Sequence, residues 1–338
     1  MMKVSDAKQH ARQWVHDIGS QEIGYVGSFM AGSINRMADN ALWKPLSDVD
    51  IFTLVDRKID GWSEQQKFLY QGVIVESVVF PLERFEKSEQ VLSRVDAINL
   101  TTSSIIADPR GYLTKLAHTI SREYTMDRWT RRRCMKSRDG ILSEYLLGML
   151  DAESLPAKVF DLLEAVMQMA QLPALAQNQN PTVRQCLLAS HHHFTELGHP
   201  ALHESLLTLL GSAEIDEPTA MRHLRMCAQS FDYATTIIRT PFWGDFDVNQ
   251  DMRPIGIDGG RELIERGYPR EAIWWILFIH TLAQIAIQND APETEKATYL
   301  NLYKQILQEL GLHSNLDFQQ RSSLGQCILT EIMKVLPI

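Results

Sequence analysis

Residues 47–55 read Ser-Asp-Val-Asp-Ile-Phe-Thr-Leu-Val, and residues 72–80 read Gly-Val-Ile-Val-Glu-Ser-Val-Val-Phe. Both runs are short and rich in β-branched residues, and the second ends at Pro81. They predict two strands, Val49–Val55 and Gly72–Phe80. Asp48 and Asp50 stand at i and i+2 and so share one face at the start of the first strand. Two carboxylates on one spot repel, so the pair needs a cation between them or a proton on one of them. Oxygen-only ligands suit Mg²⁺ or Mn²⁺. The plain alternative is a surface turn with two solvated aspartates. Glu76 sits in the middle of the second run, where an unpaired carboxylate is costly. It needs an arginine or lysine partner, or a metal.

A third feature precedes these two. Gly27-Ser28 closes a short predicted strand, Glu22–Gly27, and a helical turn is expected from Phe29. A glycine there lets backbone approach a ligand, a helix N-terminus offers free N–H groups to a phosphate, and Ser28 adds a hydroxyl. A second pair, Gly32-Ser33, completes the stretch GSFMAGS. Taken alone, a Gly-Ser pair reads equally as a helix cap.

Together, Val26-Gly27-Ser28, Asp48-Val49-Asp50 and Glu76 resemble the nucleotidyltransferase superfamily, DNA polymerase β-like and kanamycin nucleotidyltransferase-like. The resemblance covers about residues 20–80, and beyond them it is one of plan, since many members append a helical domain. The interval from Ser28 to Asp48 is longer than the family pattern, which reads as an insertion over Asn35–Trp43. The resemblance implies a small mixed β-sheet flanked by helices and metal-assisted nucleotidyl transfer. Asp48 and Asp50 would hold Mg²⁺ (or Mn²⁺) against a triphosphate, and Gly27 and Ser28 would bind the β and γ phosphates. Glu76 would complete a second metal site or act as base on the acceptor hydroxyl. The DxDxT/V motif of aspartyl-phosphate phosphatases is a rival for Asp48–Thr53, but that motif ends a strand, whereas here the strand follows it.

Around these strands the first hundred or so residues mix signals. Ser5 is a candidate cap for a helix carrying Ala11, Trp14, Val15 and Ile18 and stopped by Gly19. Gln65–Tyr70 reads as a short helix, Leu82–Leu92 as another, and Ser103–Ala107 as a short strand. From Gly111 onward helical patterns follow one another, broken at Pro173, Gly198/Pro200, Gly211, Pro241, Pro269, Pro292 and Gly311. The layout is a small α+β domain, residues 1–115, followed by an all-α helical domain, residues 116–338.

Composition narrows the function. The chain has 338 residues, with 33 Lys+Arg against 42 Asp+Glu, for a formal net charge of −9. Little is gained from counterion release on a phosphate backbone, so general nucleic-acid binding is disfavoured. Cys134, Cys186, Cys227 and Cys327 are far apart and read as reduced thiols of a cytoplasmic protein. The polar opening MMKVSDAKQHARQW carries no signal-peptide core. The apolar stretch Ala272–Ile287 holds His280, Thr281 and Gln284 and reads as a buried helix rather than a membrane span.

Other candidates carry less chemistry. Arg131-Arg132-Arg133 with Lys136 and Arg138 reads as a solvated helix face or as phosphate contacts. Of the histidines 191–193, His199 and His203, only His199 and His203 have helical i,i+4 spacing, with Pro200 opening that helix between them, and adjacent histidines fan out around a helix, which disfavours a metal cluster. Asp245–Asp251 begins like a calcium loop but has Gln250 and Gly256 at the demanding sixth and twelfth places. The long loop 241–260 reads as part of an acceptor pocket or as a packed connector.

The expectation is a cytoplasmic transferase that moves a nucleoside monophosphate from a nucleoside triphosphate, ATP first, to a hydroxyl-bearing acceptor. An aminoglycoside-like antibiotic, another small molecule or a protein side chain would serve as acceptor, and no membrane partner is expected. The alternative is a nucleotide- or partner-binding module of the same fold without turnover.

Overall fold

Val4, Ala7, Ala11, Trp14 and Val15 recur at helical spacing and form the buried stripe of α1 (Val4–Asp17). The computed structural model describes residues 2–61 and 63–338. In it α1 starts at Val4 rather than beside a Ser5 cap, with the Asp6 carboxylate accepting from the Lys3 N–H at 2.8 Å. Its stripe packs with Val49, Ile51, Val73 and Val75 on one face of a mixed five-stranded sheet.

The strands are β1 (Tyr25–Met30), β2 (Asp48–Val55), β3 (Glu64–Tyr70), β4 (Val73–Pro81) and β5 (Ile105–Ala107), in the order β3-β4-β2-β1-β5. β2 and β4 pair in parallel, and the other neighbours are antiparallel. The opposite face is covered by α2 (Ser88–Leu92) and α3 (Tyr112–Glu123), whose Leu113, Ala117 and Ile120 meet Phe29, Leu54, Val78 and Phe80. Both faces of β2 and β4 are therefore buried, which is why these strands read as near-continuous apolar runs.

Two expectations are corrected here. Gln65–Tyr70 is strand, not helix: it lies in β3, the sheet edge, joined to β4 by Gln71-Gly72 with both residues at positive φ (50° and 80°). That is the backbone of a two-residue primed turn, whose twist matches antiparallel strands. The strand is polar because an edge buries little, so its period was weak in the sequence. The chain also does not turn into helix at Phe29: β1 runs through Gly27 and Ser28 to Met30, and the turn comes at Gly32.

This unit continues to Arg133 and includes Gln177–Asn180. It passes residue 115 because α3 fills the core and because Tyr124, which caps the end of α3, and Trp129, at the start of α4 (Asp127–Gly140), join the same cluster. Arg133, 1% exposed, gives hydrogen bonds to the carbonyls of Leu92 (2.8 Å) and Tyr124 (2.7 Å) and to Asn178 Oδ1 (2.6 Å).

The second unit, Cys134–Ala176 with Pro181–Pro337, is helical. Past α4 the chain makes a π-helical turn over Ile141–Leu146. There follow α5 (Gly148–Asp151), α6 (Leu155–Ala176), α7 (Cys186–Glu196), α8 (Ala201–Leu210), α9 (Glu217–Ile237), α10 (Gly259–Glu265), α11 (Pro269–Asp290), α12 (Glu293–Glu309) and α13 (Asn315–Val335). α6 runs through Pro173, where a break was expected. α11 is the central helix, buried almost without interruption from Glu271 to Ile287 and packed against α6, α9, α10 and α12. By length and composition α6 and α11 could cross a membrane, but their apolar windows are 72% and 89% buried inside the fold, so they are core helices.

Candidate functional site

The parallel register of β2 and β4 sets Asp50 beside Glu76, with Asp48 one pleat before them on the same face. Alternation makes Asp48, Asp50 and Glu76 continue the row of Phe52, Leu54, Val78 and Phe80 beyond the apolar cluster. An oxygen from each of the three carboxylates lies within 4.8 Å of the others. Burial, reinforced by the nearby charges of Asp48 and Glu76, holds the Asp50 carboxyl well above the ordinary carboxylate range. A side-chain hydrogen bond with Glu76 pushes it the same way.

A residue that sequence reasoning missed completes the cluster. Lys67 of β3 is the direct cross-strand partner of Glu76. Its ammonium lies 2.9 Å from Glu76 Oε2 and 3.4 Å from Asp48 Oδ2, with its side chain 9% exposed. Reading 65–70 as helix removed Lys67 from consideration. The signal that would have found it is the Gln71-Gly72 turn between two runs, which folds 64–70 back onto the strand carrying Glu76.

The three acids fit a hard divalent cation: all donors are oxygens, they come from two adjacent strands, and their mutual repulsion is relieved by positive charge. Among the described residues this is the group of three or more His, Cys, Asp or Glu side chains placed to hold an ion.

Gly27 and Ser28 do not join it, and this corrects the sequence reading. Ser28 pairs with Thr53, an odd step from Asp50, and so faces the opposite side of the sheet. It is fully buried, with its hydroxyl 2.8 Å from Thr53 Oγ1 and accepting from the Tyr25 hydroxyl at 3.1 Å. Gly27 is glycine because α3 crosses it: a Cβ there would lie 2.8 Å from both the Ala107 carbonyl oxygen and Leu113 Cδ1.

Of the second Gly-Ser pair, Gly32-Ser33, the glycine does meet the acids. Gly32 has φ 68°, and a Cβ built on it would lie 1.7 Å from Asp50 Oδ2. Only glycine lets the backbone rest against that carboxylate. Ser33 is exposed and opens a single 3-10 turn, Ser33–Arg36. The loop is held from both sides: Asn99 Oδ1 accepts from Gly32 N–H (3.1 Å) and from Asn180 Nδ2 (2.7 Å), and Asn35 Nδ2 donates to the Met30 carbonyl (2.7 Å). Residues 34–47 separate Ser33 from Asp48.

The other motifs resolve into structure. Arg131 and Arg132 are exposed, whereas Arg133 is a buried brace. His203 is fully buried between Ser190 (3.2 Å) and Glu271 (3.2 Å), and His192 pairs with Glu196 on the surface. In the Asp245–Asp251 stretch, Asn249 caps a 3-10 turn by accepting from the Asp251 and Met252 N–H groups. The loop 241–260 packs down through Val248, Met252, Ile255 and Ile257, and Trp275 donates to the Ile255 and Gly256 carbonyls.

No family model and no curated protein matches the chain. Among solved structures, a nucleotidyltransferase-like protein from Exiguobacterium sibiricum 255-15 is similar at 12% identity over 87% of this chain and 78% of that one, with a TM-score of 0.31.

Proposed function

We propose that the chain is a metal-dependent nucleotidyltransferase, moving a nucleoside monophosphate from a nucleoside triphosphate to an acceptor hydroxyl. The observation that carries this reading is the convergence of Asp48, Asp50 and Glu76 within 4.8 Å on a parallel strand pair, with the Gly32 backbone against Asp50. Asp48, Asp50 and Glu76 would hold Mg²⁺ or Mn²⁺. The ion, when bound, supplies charge to the attacking and leaving oxygens of an in-line displacement at phosphorus. Ser33, exposed and next in the chain to Gly32, would take over the phosphate-binding role first read into Ser28, while Gly32 gives its N–H to Asn99 and serves by letting the backbone rest on Asp50. Asn99 ties the loop down through the Gly32 N–H, so that the loop's position is set before a nucleotide arrives. ATP is the proposed nucleotide and a small hydroxylated molecule the proposed acceptor. The net charge of −9 favours a cationic one. The buried cysteines Cys134, Cys186 and Cys227 suit a reducing cytoplasm.

One observation favours the alternative, a nucleotide- or partner-binding module without turnover. Lys67 neutralises part of the acidic cluster from within the chain, so the carboxylates have a partner even without an ion. Calorimetric titration with ATP, with and without Mg²⁺, followed by a pyrophosphate-release screen across hydroxylated acceptors, separates the two. Mg²⁺-dependent ATP binding with release for one acceptor class is expected of the enzyme, with both lost in Asp48→Asn and Asp50→Asn. Binding with no release for any acceptor leaves the module. ATP binding indifferent to Mg²⁺ and to both substitutions overturns the metal centre.

A further inference from the structure

We propose that Lys67 is an exchangeable internal cation: its ammonium neutralises Asp48 and Glu76 in the ion-free protein and leaves them when a divalent cation enters. The inference rests on reading Asp48, Asp50 and Glu76 as a metal centre.

The geometry makes the two cations competitors. Lys67 Nζ lies 2.9 Å from Glu76 Oε2 and 3.4 Å from Asp48 Oδ2, two of the three residues that would ligate the ion. A magnesium ion bonded at about 2.1 Å to the same Glu76 oxygen would sit within about 5 Å of the ammonium. At that range and with little intervening water, two positive charges repel strongly, and the carboxylate lone pairs that face lysine are withdrawn from the ion. The lysine is also built to leave. It is carried by β3, the edge strand, which has β4 on one side and, among the described residues, no strand on the other. Its charge is a point on a flexible four-carbon stem, not the rigid fork that an arginine would lock onto the same carboxylates. The side chain is 9% exposed, so departure means swinging toward solvent past the sheet edge. In the ion-free state its presence offsets the repulsion among three acids that burial would otherwise make costly.

The test uses Mn²⁺ alone, without nucleotide, on the full chain. Electron paramagnetic resonance of free Mn²⁺ should show binding about tenfold or more tighter in Lys67→Met than in the unmodified protein, because the competing charge is gone. Lys67→Gln, which keeps a polar head, repeats the comparison in case the methionine variant fails to fold. Independently, amine acylation of the unmodified protein read by mass spectrometry should show Lys67 labelling rise several-fold on adding Mg²⁺. Labelling of Lys8, paired with Asp39 at 2.8 Å, should stay level. Binding by the variants with none by the unmodified protein also supports the exchange. Equal or weaker Mn²⁺ binding in the folded variants, or Lys67 labelling unmoved by Mg²⁺, overturns the exchange and leaves the metal centre standing. No Mn²⁺ binding by any of the three proteins overturns the metal centre and the exchange with it.

Discussion

A Cβ placed on Gly32 would lie 1.7 Å from Asp50 Oδ2, so the loop after β1 rests its backbone directly on a carboxylate of the acidic cluster. Gly32 also holds φ 68°, a conformation that other residues adopt only with strain. Gly32→Ala is therefore expected to push the loop off Asp50. Urea unfolding should show a loss of about 1–3 kcal/mol. Mn²⁺ titration should show binding weakened by about tenfold or more, since the displaced carboxylate no longer meets its neighbours. A variant with unchanged Mn²⁺ affinity would detach the loop from the metal centre.

The two Gly-Ser pairs make opposite predictions. Ser28 is sealed inside the sheet against Thr53 and Tyr25, so Ser28→Ala should cost about 1 kcal/mol of stability and leave Mg-ATP binding unchanged. Ser33 is exposed and follows Gly32, which rests on Asp50, so Ser33→Ala should change stability by less than about 0.5 kcal/mol and weaken Mg-ATP binding several-fold. The comparison needs thermal melts and one calorimetric titration of each variant. The reverse pattern would restore Ser28 to the site.

Arg133 is a brace rather than a phosphate contact. Its guanidinium spends its donors on the Leu92 and Tyr124 carbonyls and on Asn178, and stacks 3.6 Å from the Tyr124 ring centroid. Arg133→Ala leaves those buried acceptors unmatched and should destabilise by about 3 kcal/mol or more. Arg131→Ala and Arg132→Ala, on the exposed side of the same helix, should stay within about 0.5 kcal/mol in chemical denaturation.

Glu164 in α6 gives the second unit a pH signature. Burial, with Asp161 adding to it and a bond from Gln168 opposing it, raises its carboxyl to about 7. In the unfolded chain the group titrates at its ordinary value near 4.5, so between these values the folded state binds more protons. Stability attributable to Glu164 is thus full below about pH 4.5 and is lost as pH rises through about 7, by about 3 kcal/mol at most. Glu164→Gln should flatten the decline in melting temperature between pH 5 and about 8. A decline of the same slope in the variant would assign it to other groups.

The sequence by itself determined β2, β4, the helical series after Gly111 and the acid pattern, because these rest on local periodicity. A buried parallel pair needs uninterrupted β-branched runs, an amphipathic helix needs its 3.6-residue stripe, and an acid amid Val-Ile-Val must have a partner. Tertiary structure decided what depends on pairing. Lys67 became Glu76's neighbour only once a polar edge strand had folded back over Gln71-Gly72, and an edge that buries one face weakly leaves little hydrophobic period to read. Which Gly-Ser faces the acids was also a matter of register. Ser28 and Ser33 are chemically alike, but one lies mid-strand on the far face of the sheet and the other just beyond the strand end, where the backbone can turn. Alternation assigns faces only after the strand limits are known, and those limits were set by hydrogen bonding between β1, β2 and β5, contacts that local sequence does not encode.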